Sequence, residues 1–278
     1  MIQVNFGFVG CAQHMRKWLG RGVARALSAS ACALLLSHCG AAGDGVHHDV
    51  ISHGQFLRVQ IYRPDTAVAS LVLLLSGDGG WDSELNTLAQ RLARRGILVA
   101  GIDVREWLET LARSATSCSA PGAYLADLGR YLQVQYRLSP SPPLLIGHSA
   151  GATLAYVALA QSRPRDFAGA ITLSFCADLD LARPLCPAPS LHGTPRAAGV
   201  RLIPGGALPA PWIGLHGLDD RECPAEEARA FAAAIPDAHF VPLPGQGHTY
   251  DDPDRWWGPF IAAYQQLTAA PLAGTPAR

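Results

Sequence analysis

Five residues, Gly147-His148-Ser149-Ala150-Gly151, span the junction between an apolar run, Leu144 to Ile146, and an Ala- and Leu-rich stretch, Ala150 to Gln161. No other part of the 278-residue chain restricts its folding as much. An apolar run without alternation suits a strand buried on both faces, and the stretch after it suits a helix. The chain must therefore pass from inner strand to helix within about one residue. So tight a turn strains its central residue, and side chains on either side would meet the passing backbone, so glycine stands at 147 and 151. The G-x-S-x-G pattern is weak by itself. In this strand, turn and helix setting it displays Ser149 at the carboxyl edge of a sheet.

The rest of the chain repeats the alternation. Gln55 to Tyr62 alternates as a half-exposed strand, and Ser70 to Leu75, Ile97 to Ile102, Ala170 to Phe175, Trp212 to Leu215 and His239 to Leu243 read as further strands. Between them, Ser83 caps a helix carrying Leu85, Leu88 and Leu92 on one face, which Gly96 stops. Pro121 to Tyr136, Ala225 to Ile235 and Asp254 to Leu267 follow as helices. Such alternation predicts an α/β architecture: a mostly parallel central sheet with helices on both faces, binding its ligand at the carboxyl ends of the strands. With the serine turn, this is the pattern of the α/β-hydrolase fold, in one domain over residues 44–278. Ala177 to Pro211 is proline-rich, aperiodic and too long for an ordinary connection, and is expected to form a small irregular lid or pocket wall.

A serine hydroxyl is a poor nucleophile at neutral pH, so it needs a base in hydrogen-bond reach and an acid to fix the base's tautomer. In this fold the chain order is serine, acid, histidine. His248 ends Pro244-Gly245-Gln246-Gly247-His248, between the last strand and the last helix, where the base belongs. His216 and His239 fall in strands, His148 is the variable residue of the turn, and His47, His48 and His53 precede the core strands. The acid should follow the penultimate strand, where Asp219 and Asp220 both stand. The glycine turn at Gly217 and the helix opening at Pro224 favour Asp220, leaving Asp219 to cap the turn. Oxyanion donors are expected from the backbone N–H of Ala150 and from that of Asp78 in Ser76-Gly77-Asp78-Gly79-Gly80-Trp81. This set predicts an enzyme, a serine hydrolase cleaving carboxylic esters through an acyl-enzyme. The pattern calls for no cofactor and no metal. An acyltransferase would share the triad, and a non-catalytic accessory protein on the same fold is the alternative of another class.

Lys plus Arg and Asp plus Glu number 22 each, so no positive excess points to nucleic acid. The N-terminus has a secretory layout. Met15-Arg16-Lys17 opens a basic stretch to Arg25, Ala26 to Leu36 is apolar, and Gly40 to Gly43 are small. The apolar run, ~11 residues, falls short of the ~20 that span a bilayer. Residues 1–43 therefore read as a signal peptide region, with Met15 the better start, and the mature protein as periplasmic. Leu36-Ser37-His38-Cys39 is similar to a lipobox with His38 in place of a small residue, so a lipoprotein anchored through Cys39 is the competing reading. Beyond this region stand Cys118, Cys176, Cys186 and Cys223, a number suited to two disulfides. Cys186 with Cys223 is the expected pair, since both follow strand carboxyl ends.

Taken with Ser76-Gly77-Asp78-Gly79-Gly80-Trp81, the residues Leu88, Arg94, Arg95, Gly96 and the strand end Gly101-Ile102-Asp103 resemble the VirJ/AcvB family of exported, virulence-associated bacterial hydrolases. The resemblance runs over most of Ser70 to Leu267. It implies an α/β-hydrolase triad with a periplasmic address and an ester substrate, and it suggests an aminoacyl-phospholipid such as lysyl-phosphatidylglycerol. The chain departs from the family in lacking an aromatic beside Ser149 and a Tyr-Phe-Trp cluster after Asp103. A small-molecule or phospholipid ester is thus the expected partner, with peripheral contact at a membrane surface and no protein partner implied.

Overall fold

The computed structural model describes residues 45–269. The signal region, with the Met15 start and the Cys39 anchor, lies outside the described residues.

The chain opens with an antiparallel pair, β1 (Val46–His53) and β2 (Phe56–Pro64), then runs through β3 (Ser70–Leu75), α1 (Ser83–Ala93), β4 (Ile97–Ile102), α2 (Val104–Arg113), α3 (Pro121–Gln135), β5 (Leu144–His148), α4 (Ala150–Gln161) and β6 (Gly169–Leu173). Three short strands follow, β7 (Asp178–Leu179), β8 (His192–Arg196) and β9 (Gly199–Ile203), before β10 (Trp212–Gly217), α5 (Ala225–Ala233), β11 (Ala238–Leu243) and α6 (Pro253–Ala269). The main sheet has eight strands in the order β1-β2-β4-β3-β5-β6-β10-β11. Pairing is antiparallel from β1 to β4 and parallel from there on. This is the expected mostly parallel α/β-hydrolase sheet.

Strand periodicity divides its core into two layers. Leu71, Leu73 and Leu75 point to one face, with Trp107 of α2, Leu125 and Leu128 of α3, and Phe231 of α5. Val72 and Leu74 point to the other, with Leu85, Leu88 and Leu92 of α1 and Trp256 and Phe260 of α6. The inner strands are buried on both faces, which explains their unbroken apolar runs. Every residue of α4 from Gly151 to Ala160 is buried, and an Ala-rich sequence with little polar surface follows from that position.

The cap of α1 is Asp82 and not Ser83, because the Asp82 carboxylate accepts from the Glu84 and Leu85 amides at 3.0 and 2.8 Å. Two elements escape the sequence pattern. β1 carries mostly exposed polar residues and owes its place to pairing with β2. α2 begins directly after β4, capped by Asp103, whose carboxylate accepts from the Glu106 amide at 3.0 Å. The segment 177–211 is more ordered than expected, since β7, β9 and β8 form a small antiparallel sheet. The predicted strand over Ala170 to Phe175 ends at Leu173, because Ser174 turns the chain with a φ of 55°.

The disulfides join Cys118 to Cys186 and Cys176 to Cys223, so the expected Cys186–Cys223 pair is incorrect. Backbone pairing explains why. Ser119 donates to the Pro184 carbonyl and accepts from the Cys186 amide, both at 2.8 Å, which lays the lid segment beside Cys118. Cys176 leaves β6 next to β10, whose following loop carries Cys223. The Cα separations, 4.9 and 5.2 Å, lie in the ordinary range for bridged cysteines. Two disulfides are the usage of chains that fold in an oxidising compartment. Among the described residues, no helix is long and apolar enough to cross a membrane.

Candidate active site

Ser149 occupies the one-residue turn between β5 and α4 with φ 53° and ψ −122°, a region that side chains other than glycine's rarely adopt. Its neighbours make this turn fit. A Cβ on Gly147 would collide with the Gly151 carbonyl, and one on Gly151 would collide with the carbonyls of Ser76 and Leu75. The strained turn leaves Ser149 half-buried at the strand end.

His248 and Asp220 converge on this serine from two loops. The His248 ring, with 12 % of its side chain exposed, places Nε2 3.0 Å from the Ser149 hydroxyl. On its far side, Nδ1 lies 3.0 and 3.1 Å from the two oxygens of Asp220. The Asp220 side chain is completely buried, and its Oδ1 also accepts from the amides of Glu222 at 3.0 Å and Cys223 at 2.9 Å. Asp219 is exposed, and its amide donates to the Gln246 carbonyl in the loop that carries His248. Of the two aspartates, then, Asp220 faces the histidine.

The electrostatics follow from these contacts. Burial pushes the Asp220 carboxyl up, but hydrogen bonds from His248 and the Cys223 amide outweigh it and hold the group down at about 2. His248 is raised, first by its hydrogen bond to Asp220, against a smaller burial effect, with the charges of Asp220, Glu222 and Asp78 adding to the rise. Glu222 reaches to 3.6 Å of the His248 Nε2 while most of its side chain stays in solvent.

Two further histidines hold the loops. His148 Nε2 donates to the His248 carbonyl at 2.9 Å, tying the serine turn to the base loop, and Ser174 Oγ donates to the same carbonyl at 3.3 Å. His216 Nε2 donates to the Cys223 carbonyl at 2.7 Å and so steadies the acid loop. Burial lowers both of these histidines, which keeps them neutral. Neither partnership is visible in the sequence, because a place next to Ser149 or inside a strand gives no sign of a partner so distant in the chain.

The loop from Ser76 to Trp81 packs beside the serine, with Gly77 against the Ser149 Cβ. Asp103 anchors it, accepting from the Trp81 amide at 3.0 Å. Ser76 Oγ donates to the Gly77 carbonyl and accepts from the Val104 amide. Trp81 packs on Gly101, where any Cβ would meet its ring. Neither the Asp78 nor the Ala150 amide has a protein acceptor among the described residues, so both are available to an oxyanion.

Asp220, Cys223 and His248 are the one group among the described residues whose ligand atoms would cluster around a metal ion. Their chemistry does not fit one, since the Cys223 sulfur is in a disulfide and Asp220 and His248 are bonded to each other. Two hollows lie in this part of the molecule, neither of them lined by Ser149, Asp220 or His248. A hollow of about 250 Å³ beside the acid loop is lined by Phe175, Cys176, Arg201, Glu222 and Cys223. The lid segment forms a larger cavity of about 490 Å³, lined by Leu181, Leu185, Leu191, Leu202 and Arg183 but by none of Ser149, Asp220 and His248.

No family model and no curated protein sequence matches the chain. Solved structures do. Est1E from Butyrivibrio proteoclasticus is 16 % identical, with a TM-score of 0.52 over 81 % of this chain and 99 % of that one. The esterase domain from a Rhodothermus marinus protein is also 16 % identical, with a TM-score of 0.53 over 80 % and 98 %. The acylaminoacyl peptidase of Pyrococcus horikoshii, 14 % identical, gives 0.54 over 83 % of this chain and 43 % of its own. At these identities the likeness is one of fold.

Proposed function

We propose that the chain is a serine ester hydrolase in which Ser149 is the nucleophile, His248 the general base and Asp220 the orienting acid. One observation carries this reading: the Ser149 hydroxyl, His248 Nε2 and Nδ1, and a buried carboxylate form a continuous hydrogen-bonded line. His248 takes the Ser149 proton as the hydroxyl attacks the ester carbonyl, and Asp220, ionised at all ordinary pH, stabilises the imidazolium that forms. The amides of Asp78 and Ala150 receive the oxyanion, a contribution of about 3–4 kcal/mol per donor in comparable sites. Imidazolium then protonates the departing alkoxide. Water, deprotonated by the same His248, hydrolyses the acyl-enzyme. The names of two structural neighbours, an esterase domain and an acylaminoacyl peptidase, are in keeping with acyl chemistry.

The finer reading is an exported enzyme acting on an aminoacyl-phospholipid such as lysyl-phosphatidylglycerol. Two disulfides support export. The carboxylates of Glu222 and Asp78, both acting on His248, suit a substrate bearing an ammonium group near its ester. Of the lid arginines, Arg196 and Arg201 are already paired with Asp178, Asp180 and Glu227, whereas Arg183 donates from one η nitrogen to the Thr116 carbonyl at 3.0 Å and its Nε has no partner, which suits a phosphate. Incubating mature protein with a fluorophosphonate probe and a panel of short-chain, phospholipid and aminoacyl esters tests both levels. Labelling with turnover of lysyl-phosphatidylglycerol in mixed micelles supports the full reading. Turnover of short-chain esters alone leaves a generic periplasmic esterase, and turnover only in the presence of an alcohol acceptor makes it an acyltransferase.

A further inference from the structure

Resting on the esterase reading above, we propose that the Cys176–Cys223 cystine is a positioning element of the triad, holding the acid loop in the register at which Asp220 faces His248. The loop from Leu218 to Pro224 is largely exposed and makes little regular structure, yet it must present one carboxylate accurately. Cys223 is part of that carboxylate's cradle, because its amide donates to Asp220 Oδ1 at 2.9 Å. Every other polar handle of Cys223 is also fixed. Its carbonyl accepts from His216 at 2.7 Å, and its sulfur is bonded to Cys176.

Cys176 leads back to the nucleophile. Its carbonyl accepts from Thr153 Oγ1 at 2.7 Å, and the Thr153 amide donates to the Ser149 carbonyl at 3.1 Å in the first turn of α4. Ser149, Thr153, Cys176, Cys223 and Asp220 thus form a path that joins nucleophile to acid without passing through the histidine. The Cys223 sulfur itself lies within 4.8 Å of ligand atoms of both Asp220 and His248. The second disulfide has no such place. Cys118–Cys186 fastens the lid segment to the loop before α3 and touches no triad residue.

The test compares Cys176→Ser/Cys223→Ser with Cys118→Ser/Cys186→Ser, using a neutral short-chain ester across pH and circular dichroism for the fold. Displacement of a catalytic group by about 1 Å can cost on the order of 100-fold, so kcat of the first variant should fall roughly 10- to 100-fold with little change in KM. Its acid limb should also move to lower pH, because Asp220 no longer raises His248. The second variant should keep both kcat and limb. A folded Cys176→Ser/Cys223→Ser protein with wild-type kcat and limb overturns the proposal. If that variant does not fold, the Cys118→Ser/Cys186→Ser protein is treated natively with a dithiol, which gives two electrons and two protons to the remaining S–S bond and closes to a cyclic disulfide. Alkylation and mass measurement count the two thiols formed. Slowed fluorophosphonate labelling of the reduced, folded protein supports the proposal, and an unchanged rate overturns it. A wild type that neither labels nor turns over any ester overturns the esterase reading and the cystine's role together, whereas an active wild type with an unaffected variant overturns the cystine's role alone.

Discussion

Glu222→Gln isolates one charge next to the proposed general base. Its carboxylate lies 3.6 Å from His248 Nε2, and 73 % of its side chain is exposed. At that distance opposite charges attract by about 1 kcal/mol in water, and exposed pairs yield roughly 0.2–1 kcal/mol once screening and side-chain entropy are included. The attraction exists only when the imidazole is protonated. It therefore stabilises both the free enzyme's imidazolium, which is inactive, and the transition state, in which His248 has taken the serine proton. Removing it should lower kcat/KM on the neutral plateau by roughly 1.4- to 5-fold and move the acid limb to lower pH by the same factor. On the limb itself the two effects cancel. Profiles of wild type and variant on a neutral ester should thus converge at low pH and separate above the break, and high salt should narrow the gap. Parallel profiles, with equal loss at every pH and no shift of the break, would refute the electrostatic reasoning and leave Glu222 a steric role.

Ser149→Ala should abolish fluorophosphonate labelling while melting close to wild type, and retained labelling would move the nucleophile elsewhere. Asp220→Asn should lose on the order of 10⁴ in kcat, as in the serine-protease precedent, whereas Asp219→Asn should stay near wild type in the same assay. The reverse order would reassign the acid. Stability should fall below about pH 6.5, because there the unfolded chain protonates His148 and His216 while the native protein keeps them neutral. Asp220 adds a second loss as pH falls from the ordinary carboxylate range toward about 2. His248 acts with the opposite sign, its stabilisation being complete below about 6.5 and lost as pH rises through its raised native value. Chemical denaturation at pH 5 and pH 7.5 measures the sum, and equal midpoints would show that the two buried histidines do not govern stability in this range.

The parts of the fold legible in sequence are those where burial dictates composition. β3, β4 and β5 are buried on both faces and show it as continuous apolar runs, and α1 shows its single apolar face. β1 has no buried residue to announce it, and α2 follows β4 with no turn signal between them. The serine turn is readable because strain and crowding leave few residue choices there. Disulfide pairing is not, since it depends on the Ser119–Leu185 bridge and on the adjacency of β6 and β10, which are long-range facts. For the same reason the roles of His148, His216 and Ser174 emerge only with the structure.

The three histidines around Asp220 and Ser149 differ in the group to which each donates its closest hydrogen bond. His148 and His216 donate to backbone carbonyls, whose partial charge does not offset the cost of burying an imidazolium, and burial drives both down, His216 even with Asp220 Oδ2 3.5 Å from its Nε2. His248 donates to a full carboxylate and is driven up. That carboxylate stays charged in its buried place because hydrogen bonds from His248 and then from the Cys223 amide outweigh the burial penalty. In the proposed mechanism, groups set apart in this way divide the labour of proton transfer: Asp220 stays ionised, His248 titrates, and the neutral pair fixes geometry without competing for the proton. If His248 is the base as proposed, the loop that carries Glu222, Cys223 and Asp220 sets its properties as much as the imidazole does, and changes in that loop should appear first in the pH dependence of ester turnover.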